Sequence, residues 1–428
     1  MNVAVIGAGP SGLVTTKSLL QAGFSVTCFE AGERAGGQWV IDNTSGTSSA
    51  YRSLRTNTNK SMSRYSDYEL PEDFPEYPGH TQLADWFHQY AQHFDVLPYI
   101  RFSTRVSQVI PIADGRFQVD TEAGGSADFD AVVVACGNLW APSLPAISGE
   151  FHGEQLHTKF YRDPATPIDL RGKRVLVRGL GNSGCEIAVE LALENGPGKI
   201  FISARSGQVI LPRVSEDGPT PPHPADPLST GLRLMPRWMR KHLFPVIFRR
   251  IMTKLIESGI TPQQVELPPP PANLLSKRTV VNDQIINLIS EGVISAKPDI
   301  EKLVGDSVRF ADGSTEAIDA IIHATGYRLS LPFLSPTVLG VEDSNDLALY
   351  RGVMHPEHNQ LFFVGIMRVL CSIWPMSEQQ ALWIAACLRD EVRLPADKRI
   401  QQAAYPILKV PFNFCPFYAD DLQSDYRR

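Results

Sequence analysis

Two glycine-rich loops contain the residues of this 428-residue chain whose types and spacing point most directly to chemistry. They are Gly7-Ala8-Gly9-Pro10-Ser11-Gly12 and Gly179-Leu180-Gly181-Asn182-Ser183-Gly184. In the pattern GxGxxG, the first glycine permits a tight turn, the second lets the backbone approach a pyrophosphate, and the third lets a helix pack closely on a strand. The helix that follows offers unpaired N–H groups to the phosphates. The pattern therefore predicts two dinucleotide-binding loops.

The residues that follow each loop predict which nucleotide it binds. Glu30 comes about twenty residues after the first loop, where an acid binds the hydroxyl groups of a ribose. Ser203 and Arg205 take the equivalent place after the second loop, and they can bind the 2′-phosphate that a carboxylate would repel. We therefore expect a nucleotide with a free ribose diol at the first loop and NADPH at the second. The alternative for Arg205 is a solvated charge in a loop.

The stretches around both loops have the strand, turn, helix and strand order of a dinucleotide-binding unit. Short apolar runs predict the strands, and amphipathic spacing predicts the helices. The predicted elements are residues 2–6, 13–22 and 24–29 around the first loop, and residues 174–177, 185–193 and 199–202 around the second.

Two further apolar runs, in residues 129–137 and 318–327, lead up to Gly137 and Gly326 and are typical of strands that close a nucleotide-binding sheet. The predicted fold class is α/β, with two nested Rossmann-like domains, the second inserted in the first. The predicted boundaries are 1–162 and 319–428 for an FAD domain and 163–318 for an NADPH domain. FAD and NADPH are the natural pair because one dinucleotide then serves as a fixed redox cofactor and the other reduces it.

Composition narrows the function classes. The net charge is −6 and the pI about 6.0, so no basic excess indicates a nucleic-acid partner. No apolar run approaches the ~20 residues of a membrane-spanning helix, and the N-terminus does not resemble a signal peptide, so we expect a cytoplasmic protein. The cysteines are scattered, which argues against a disulfide oxidoreductase, because that class needs a redox cysteine pair. No metal-ligand cluster is evident.

Further motifs carry a family resemblance. Phe151, Gly153, His157 and Tyr161 fit the pattern FxGxxxHxxxY. Other matching pieces are Gly36-Gly37-Gln38-Trp39, Arg55-Thr56-Asn57-Thr58-Asn59-Lys60, Tyr65-Ser66-Asp67-Tyr68, Ala324-Thr325-Gly326-Tyr327 and Glu378-Gln379-Gln380-Ala381-Leu382-Trp383. In this combination and order, over nearly its whole length, the chain resembles the flavin-containing monooxygenases.

The resemblance implies an FAD-dependent monooxygenase that consumes NADPH and O2. Such enzymes insert one oxygen atom into a soft nucleophile, an amine nitrogen, a sulfide sulfur or an indole-like ring, through a flavin 4a-hydroperoxide. A Baeyer–Villiger relative would carry tryptophan, commonly followed by proline, where this chain has Tyr161 and Arg162. This difference favours oxygenation of a heteroatom, with ketone oxidation as the alternative. A protein that senses NADPH without turnover is a third interpretation, and the motif around Asn57 argues against it.

The resemblance also implies roles for individual residues. Asn57 is the candidate catalytic residue, because its amide can donate and accept hydrogen bonds near the reacting flavin. The alternative is a turn-forming asparagine in a polar loop. The expected cofactor-binding residues are Gly7, Ala8, Gly9, Pro10, Ser11, Gly12, Glu30, Gly37, Gln38, Trp39, Thr56, Asn57, Thr58, Gly179, Gly181, Asn182, Ser183, Gly184, Ser203, Arg205, Thr325 and Gly326.

His157 has two interpretations. It could act as a general base, or it could help to fix the crossing between the two domains. We favour the second, and we expect His157 and Tyr161 to form hydrogen bonds with backbone atoms there.

A helical insertion at about 211–275, bracketed by prolines, does not fit a minimal NADPH domain. The only charged residues between 231 and 254 are basic, which allows peripheral contact of about 231–256 with an anionic membrane. The favoured alternative is an insertion whose apolar face covers the active site or a partner subunit, so a homo-oligomer is compatible with the sequence.

Overall fold

The computed structural model of the chain describes residues 1–194, 196, 198–215, 218–219, 265–270, 279–367, 372–395, 422, 425 and 426. The helices in chain order are α1 (Pro10–Gln21), α2 (His80–His93), α3 (Asn182–Glu194), α4 (Ile285–Ser290), α5 (Pro336–Leu339) and α6 (Ile373–Leu388). Short 3-10 turns lie at Gly37–Trp39, Leu97–Tyr99, Ala113–Gly115 and Ser344–Asp346.

The strands, in chain order, are β1 (Asn2–Ile6), β2 (Ser25–Phe29), β3 (Ile100–Arg101), β4 (Val106–Pro111), β5 (Phe117–Thr121), β6 (Ser126–Phe129), β7 (Ala131–Val134), β8 (Ala141–Pro142), β9 (Ser148–Phe151), β10 (Glu154–His157), β11 (Val175–Arg178), β12 (Ile200–Ser203), β13 (Ile210–Leu211), β14 (Val214–Ser215), β15 (Gly218–Pro219), β16 (Val280–Val281), β17 (Ile294–Lys297), β18 (Ile300–Gly305), β19 (Ser307–Phe310), β20 (Thr315–Ala317), β21 (Ala320–His323), β22 (Tyr327–Arg328) and β23 (Leu361–Phe363).

The chain divides into two compact units. The first comprises residues 1–48, 60–141 and 327–428, and the second comprises residues 49–59 and 142–326. The second unit is therefore inserted in the first, as the sequence predicted. The boundaries differ from the expected 162/163 and 318/319, because the strands β9, β10 and β21 pair within the second unit. Residues 49–59 also belong to the second unit, which no sequence pattern indicated.

The first unit contains a five-stranded parallel sheet in the order β23-β7-β1-β2-β3. Strand β1 is apolar and buried from Val3 to Ile6, as expected for a parallel strand covered on both faces. Val3 and Val5 face a core formed with α1, α2 and α6. Ala4 and Ile6 face a second core formed with the antiparallel strands β4, β5 and β6.

The second unit repeats this arrangement. Its parallel sheet has the order β10-β21-β11-β12-β17, with β11 at the position that β1 takes in the first sheet. Val175 and Val177 pack with α3 and α4 on one face. Leu176 packs with the antiparallel strands β18 and β19 on the other. The two dinucleotide-type units predicted from the sequence are thus both present as α/β folds.

Several predictions concern residues outside the described part of the chain. Residues 216–217, 220–264 and 271–275 of the expected helical insertion, with the basic stretch 231–256, lie outside it. Within the described residues, no helix is long and apolar enough to cross a membrane. No group of histidine, cysteine, aspartate or glutamate residues with the arrangement of a metal site was found in the same part of the chain.

Candidate functional site

The first glycine loop joins β1 to α1 and is held by close backbone contacts. The Gly7 N–H donates to the Phe29 carbonyl at 2.8 Å, and Gly7 has a φ of +106° that favours glycine. A Cβ on Gly12 would lie 1.7 Å from the Gly7 carbonyl oxygen, so only glycine lets α1 pack this closely on β1. Helix α1 begins at Pro10 without a side-chain cap and without an acidic residue in its first turn. The N–H groups of its first turn therefore remain available, and the positive end of the helix dipole favours a phosphate there.

Glu30 fixes this loop from the end of β2. Its Oε2 accepts the Ala8 N–H at 2.7 Å, and its Oε1 accepts the Gly32 N–H at 2.7 Å. Burial raises the pKa of Glu30, and the two backbone N–H groups and Arg105 oppose this rise. Each carboxylate oxygen keeps a second lone pair, which a ribose hydroxyl could use.

Gly37, Gln38 and Trp39 form a 3-10 turn next to the glycine loop in the same unit. A Cβ on Gly37 would lie 2.8 Å from the Gly9 Cα, so the two backbones approach each other closely. The ring of Trp39 meets that of Trp374 edge to face, with centroids 5.8 Å apart. The structure thus brings the first-loop residues and Gly37–Trp39 together, and their contact with FAD stays a prediction.

The second glycine loop, between β11 and α3, has the same construction. The Gly179 N–H donates to the Ser203 carbonyl at 2.8 Å, and the φ of Gly179 is +122°. A Cβ on Gly184 would lie 2.0 Å from the Gly179 carbonyl oxygen, whereas a Cβ on Gly181 would meet nothing within 4 Å. The Asn182 side chain accepts the Val281 N–H at 2.9 Å, so its amide is used for structure.

Basic and hydroxyl side chains cluster at the carboxyl end of the second sheet. Arg178, Ser203 and Lys297 are the paired last residues of β11, β12 and β17. Burial lowers the pKa of Arg178; the charge of Asp299 opposes this, and that of Arg205 adds to it. The buried Ser203 hydroxyl has no hydrogen-bond partner among the described residues. Lys297 is paired with Glu316 at 2.6 Å, so Arg178, Arg205 and the Ser203 hydroxyl are the groups at this edge that can accept an anion. The place of a 2′-phosphate stays a prediction.

Residues Thr56, Asn57 and Thr58 lie in the 49–59 segment of the second unit. The Thr56 hydroxyl and the Asn57 carbonyl oxygen are buried, and neither has a hydrogen-bond partner within the described ranges. Leaving a buried polar group unpaired costs about 1–3 kcal/mol, so such groups call for an explanation. One explanation is a bound ligand that supplies the missing hydrogen-bond partners.

His157, Thr325 and Gly326 form a structural junction. The Lys159 N–H donates to Nδ1 of His157 at 3.1 Å, so Nε2 carries the proton and donates to the Gly326 carbonyl at 3.0 Å. Burial lowers the pKa of His157, the Gly326 carbonyl opposes this, and Lys159 adds to it. The expected backbone bonding of His157 is confirmed, and it leaves no ring nitrogen for a general base. Thr325 also joins this junction, through its hydroxyl and the Ser143 carbonyl.

For Tyr161, the expected backbone hydrogen bond is wrong. Its hydroxyl donates to the Glu190 carboxylate on α3 at 2.7 Å. One helical turn earlier, Glu186 accepts the hydroxyl of buried Tyr51 and pairs with Arg213. Sequence reasoning missed both glutamates; the signal was two carboxylates, four positions apart, among the apolar residues in the middle of α3.

His323, the last residue of β21, makes stability depend on pH. Burial, with the charges of Arg178 and His157, lowers its pKa from 6.5 to about 4. As the pH falls below 6.5, His323 is protonated in the unfolded chain but stays neutral in the folded chain. Its contribution to the free energy of unfolding is therefore complete above pH 6.5 and is lost as the pH drops towards 4. The difference corresponds to roughly 3 kcal/mol.

We therefore expect the melting temperature of His323→Gln to fall less between pH 7 and pH 4.5 than that of the wild type. Differential scanning fluorimetry across this range measures the effect. His152→Gln, which alters an exposed histidine of the same unit, is the control and should follow the wild type. Equal pH profiles for all three proteins would contradict the assignment.

Comparisons with known proteins agree with this arrangement. A family model described as "Flavin-binding monooxygenase-like" matches residues 1–427. "Dimethylaniline monooxygenase [N-oxide-forming] 2" of Macaca mulatta is 36% identical over 413 residues, which cover 92% of this chain and 75% of that protein. Among solved structures, S-allyl-L-cysteine S-oxygenase from Allium sativum aligns with a TM-score of 0.70 at 24% identity, covering 99% of this chain and 88% of that one. A cyclohexanone monooxygenase aligns with a TM-score of 0.71 at 18% identity, covering 99% and 97%.

Proposed function

Because the chain belongs to the flavin-binding monooxygenase-like family, we propose that it transfers one oxygen atom from O2 to a soft nucleophile at the expense of NADPH. The chain is a flavin-containing monooxygenase, and its cofactors are FAD and NADPH. When bound, FAD supplies the redox chemistry, since it takes up the reducing equivalents of NADPH and activates O2. The protein contributes binding, orientation and the exclusion of water.

The observation that carries the proposal is the matched pair of glycine loops, each at the carboxyl end of the central strand of its own parallel sheet. The first loop fits FAD. Its helix N-terminus is open to a pyrophosphate, Gly9 lets the backbone approach it, and Glu30 is in place for a ribose.

The second loop fits NADPH. Gly181 has open space above it for the pyrophosphate, and the unpartnered Ser203 hydroxyl lies near Arg205 at the same edge of the sheet. We propose that Ser203 and Arg205 bind the 2′-phosphate, while Ser183 and Gly184 hold the pyrophosphate at the start of α3. This assigns FAD to the first unit and NADPH to the second.

We further propose that Asn57 is the catalytic residue. Its unpaired carbonyl oxygen, together with the Thr56 hydroxyl, gives the 49–59 segment hydrogen-bonding capacity that the described residues do not use. In the proposed site, the Asn57 amide orients the reacting groups and keeps water from them.

Asn57→Ala should keep FAD bound but separate NADPH oxidation from product formation. We expect the ratio of product to NADPH consumed to fall about tenfold or more, with hydrogen peroxide rising to match, since a lost positioning hydrogen bond costs about 1.5–3 kcal/mol. Product analysis, with peroxide and NADPH assays in parallel, measures the ratio.

The control is Asn287→Ala, which alters an exposed asparagine on α4 of the same unit. Its ratio of product to NADPH consumed should equal that of the wild type. Wild-type coupling in Asn57→Ala would remove Asn57 from the mechanism.

For the substrate, we propose amine nitrogen and sulfide sulfur rather than a ketone. The relative named above is an N-oxide-forming monooxygenase at 36% identity. Tyr161, followed by Arg162, stands where a ketone-oxidising relative would carry tryptophan. The hydroxyl of Tyr161 donates to Glu190 on α3, so this side chain has a structural role.

The experiment that tests the proposal is oxygenation by the FAD-loaded protein. N,N-dimethylaniline, a methyl sulfide, indole and cyclohexanone are each incubated with NADPH and O2, and products are compared with NADPH consumed. N- or S-oxide formed in proportion to NADPH supports the proposal. Lactone as the main coupled product would replace it with ketone oxidation, and a protein that binds no FAD would overturn it.

A further inference from the structure

Residues 49–59 carry the candidate catalytic stretch, yet they belong to the second unit while the residues on both sides of them belong to the first. Specific contacts must therefore hold this segment against the second unit. The Arg52 N–H donates to the Arg162 carbonyl at 2.8 Å, and the Arg162 guanidinium donates to the Ala50 carbonyl at 3.2 Å. Leu54 packs against the core beside α3.

The most deeply buried of these contacts is made by Tyr51. Its side chain is 2% exposed, and its hydroxyl donates to Oε2 of Glu186 in the second turn of α3. Oε1 of Glu186 is paired with Arg213, and the Arg55 charge also acts on this carboxylate. Burial raises the pKa of Glu186 in spite of these partners. A buried carboxylate is costly, and apolar side chains could hold the segment equally well, so its presence suggests a need for a defined position.

Tyr51 also contacts the glycine loop. The Ser183 hydroxyl forms a hydrogen bond with the Tyr51 hydroxyl. Ser183 lies in the second glycine loop, three residues before Glu186. The Tyr51 hydroxyl thus contacts the loop that binds a dinucleotide in the proposed function. Tyr51 also lies five residues before Thr56, whose hydroxyl has no hydrogen-bond partner in the described part of the chain.

We propose that Tyr51, held by Glu186, is a positioning residue that links occupation of the second glycine loop to the placement of Thr56 and Asn57. When NADP+ engages Ser183, the Tyr51 hydroxyl and its segment become fixed, and Asn57 takes its working position. This inference rests on the proposed function of both stretches. It predicts that NADP+ orders residues 49–59 and that the Tyr51 hydroxyl is required for this effect.

The same helix supplies a matched control. Tyr161 donates to Glu190, four residues after Glu186, so each tyrosine hydroxyl bonds a glutamate of α3. The rings of Tyr51 and Tyr161 are neighbours, with centroids 6.1 Å apart. Tyr161 lies outside the 49–59 segment. If these tyrosines serve only to anchor chain segments on α3, Tyr51→Phe and Tyr161→Phe should behave alike.

The test is hydrogen–deuterium exchange of the FAD-loaded protein, with and without saturating NADP+, followed by mass spectrometry of peptides covering residues 49–59. In the wild type and in Tyr161→Phe, we expect NADP+ to slow exchange in this segment at least fivefold. In Tyr51→Phe, we expect the slowing to be lost, and coupling of NADPH to product to fall about fivefold, while Tyr161→Phe stays coupled.

Equal NADP+ protection in the two tyrosine variants would overturn the proposal. Should Tyr51→Phe fail to fold, Ser183→Ala keeps the bond of Tyr51 to Glu186 and removes the link to the loop. Because Ser183 is also proposed to hold the pyrophosphate, the NADP+ concentration is raised until this variant is saturated. It should lose the NADP+-dependent protection at saturating NADP+, and retained protection would overturn the proposal. A wild-type protein that shows this protection but forms no oxygenated product would contradict the proposed function and leave the link supported.

Discussion

Gly12→Ala is expected to yield a protein that no longer retains FAD. The added methyl would lie 1.7 Å from the Gly7 carbonyl oxygen and 2.8 Å from its carbon, and both are backbone atoms of the loop itself. Helix α1 must therefore move away from β1, which costs roughly 3 kcal/mol or more and displaces the N–H groups that are proposed to bind the pyrophosphate. Flavin content after purification and the melting temperature of the flavin-free protein measure both effects.

Gly9→Ala is the matched variant for this prediction. Its Cβ would lie 3.5 Å from the Gly37 Cα, an ordinary contact, and the φ of Gly9 is −73°, which alanine adopts freely. We expect the flavin-free Gly9→Ala protein to melt like the wild type and to bind FAD at least tenfold more weakly, because the methyl would occupy the space proposed for a phosphate. Wild-type flavin content in Gly12→Ala would show that the loop does not hold FAD.

Arg205→Ala should raise the KM for NADPH about 10- to 100-fold and change the KM for NADH less than about twofold. A charge-assisted hydrogen bond contributes about 1.5–3 kcal/mol, and each 1.4 kcal/mol is a factor of ten. Only NADPH carries the phosphate that Arg205 is proposed to bind. Initial rates of both nucleotides with the FAD-loaded enzyme measure the selectivity.

Lys199→Ala provides the comparison for the arginine variant. Lys199 immediately precedes β12, at the opposite end of that strand from Arg205, so its loss removes one positive charge from the same unit without touching the proposed site. We expect its nucleotide selectivity to equal that of the wild type. If Arg205→Ala raised the KM of both nucleotides equally, the phosphate assignment would be wrong.

The strands and helices around the glycine loops could be predicted because their signals are local. Strand β1 is apolar from Val3 to Ile6, and it was predicted with its observed bounds. Helices α1 and α3 begin three residues earlier than predicted, at Pro10 and Asn182. The glycine, proline and asparagine residues there interrupt the amphipathic pattern, although a proline in the first turn is compatible with a helix.

The membership of β10 and of residues 49–59 in the second unit could not be predicted in this way. Strand β10 is a short, half-exposed edge strand with the sequence EQLH, which lacks an apolar run. Tyr51 and Glu186 are 135 residues apart in sequence, so no local pattern connects them. The expected domain boundaries were misplaced for the same reason, because long-range pairing rather than local composition decides where each unit ends.

The nested order of the two units has a consequence for synthesis on the ribosome. Residues 49–59 emerge early and must wait for α3 to follow before they can dock, while β23, the outermost strand of the first sheet, is among the last elements made. At a translation rate of about 5–20 residues per second, apolar surface of the nascent chain stays exposed to solvent for many seconds. Neither unit can mature strictly in the order of its synthesis, so a chain halted near residue 326 would carry a finished inner domain and an outer sheet that still lacks its edge.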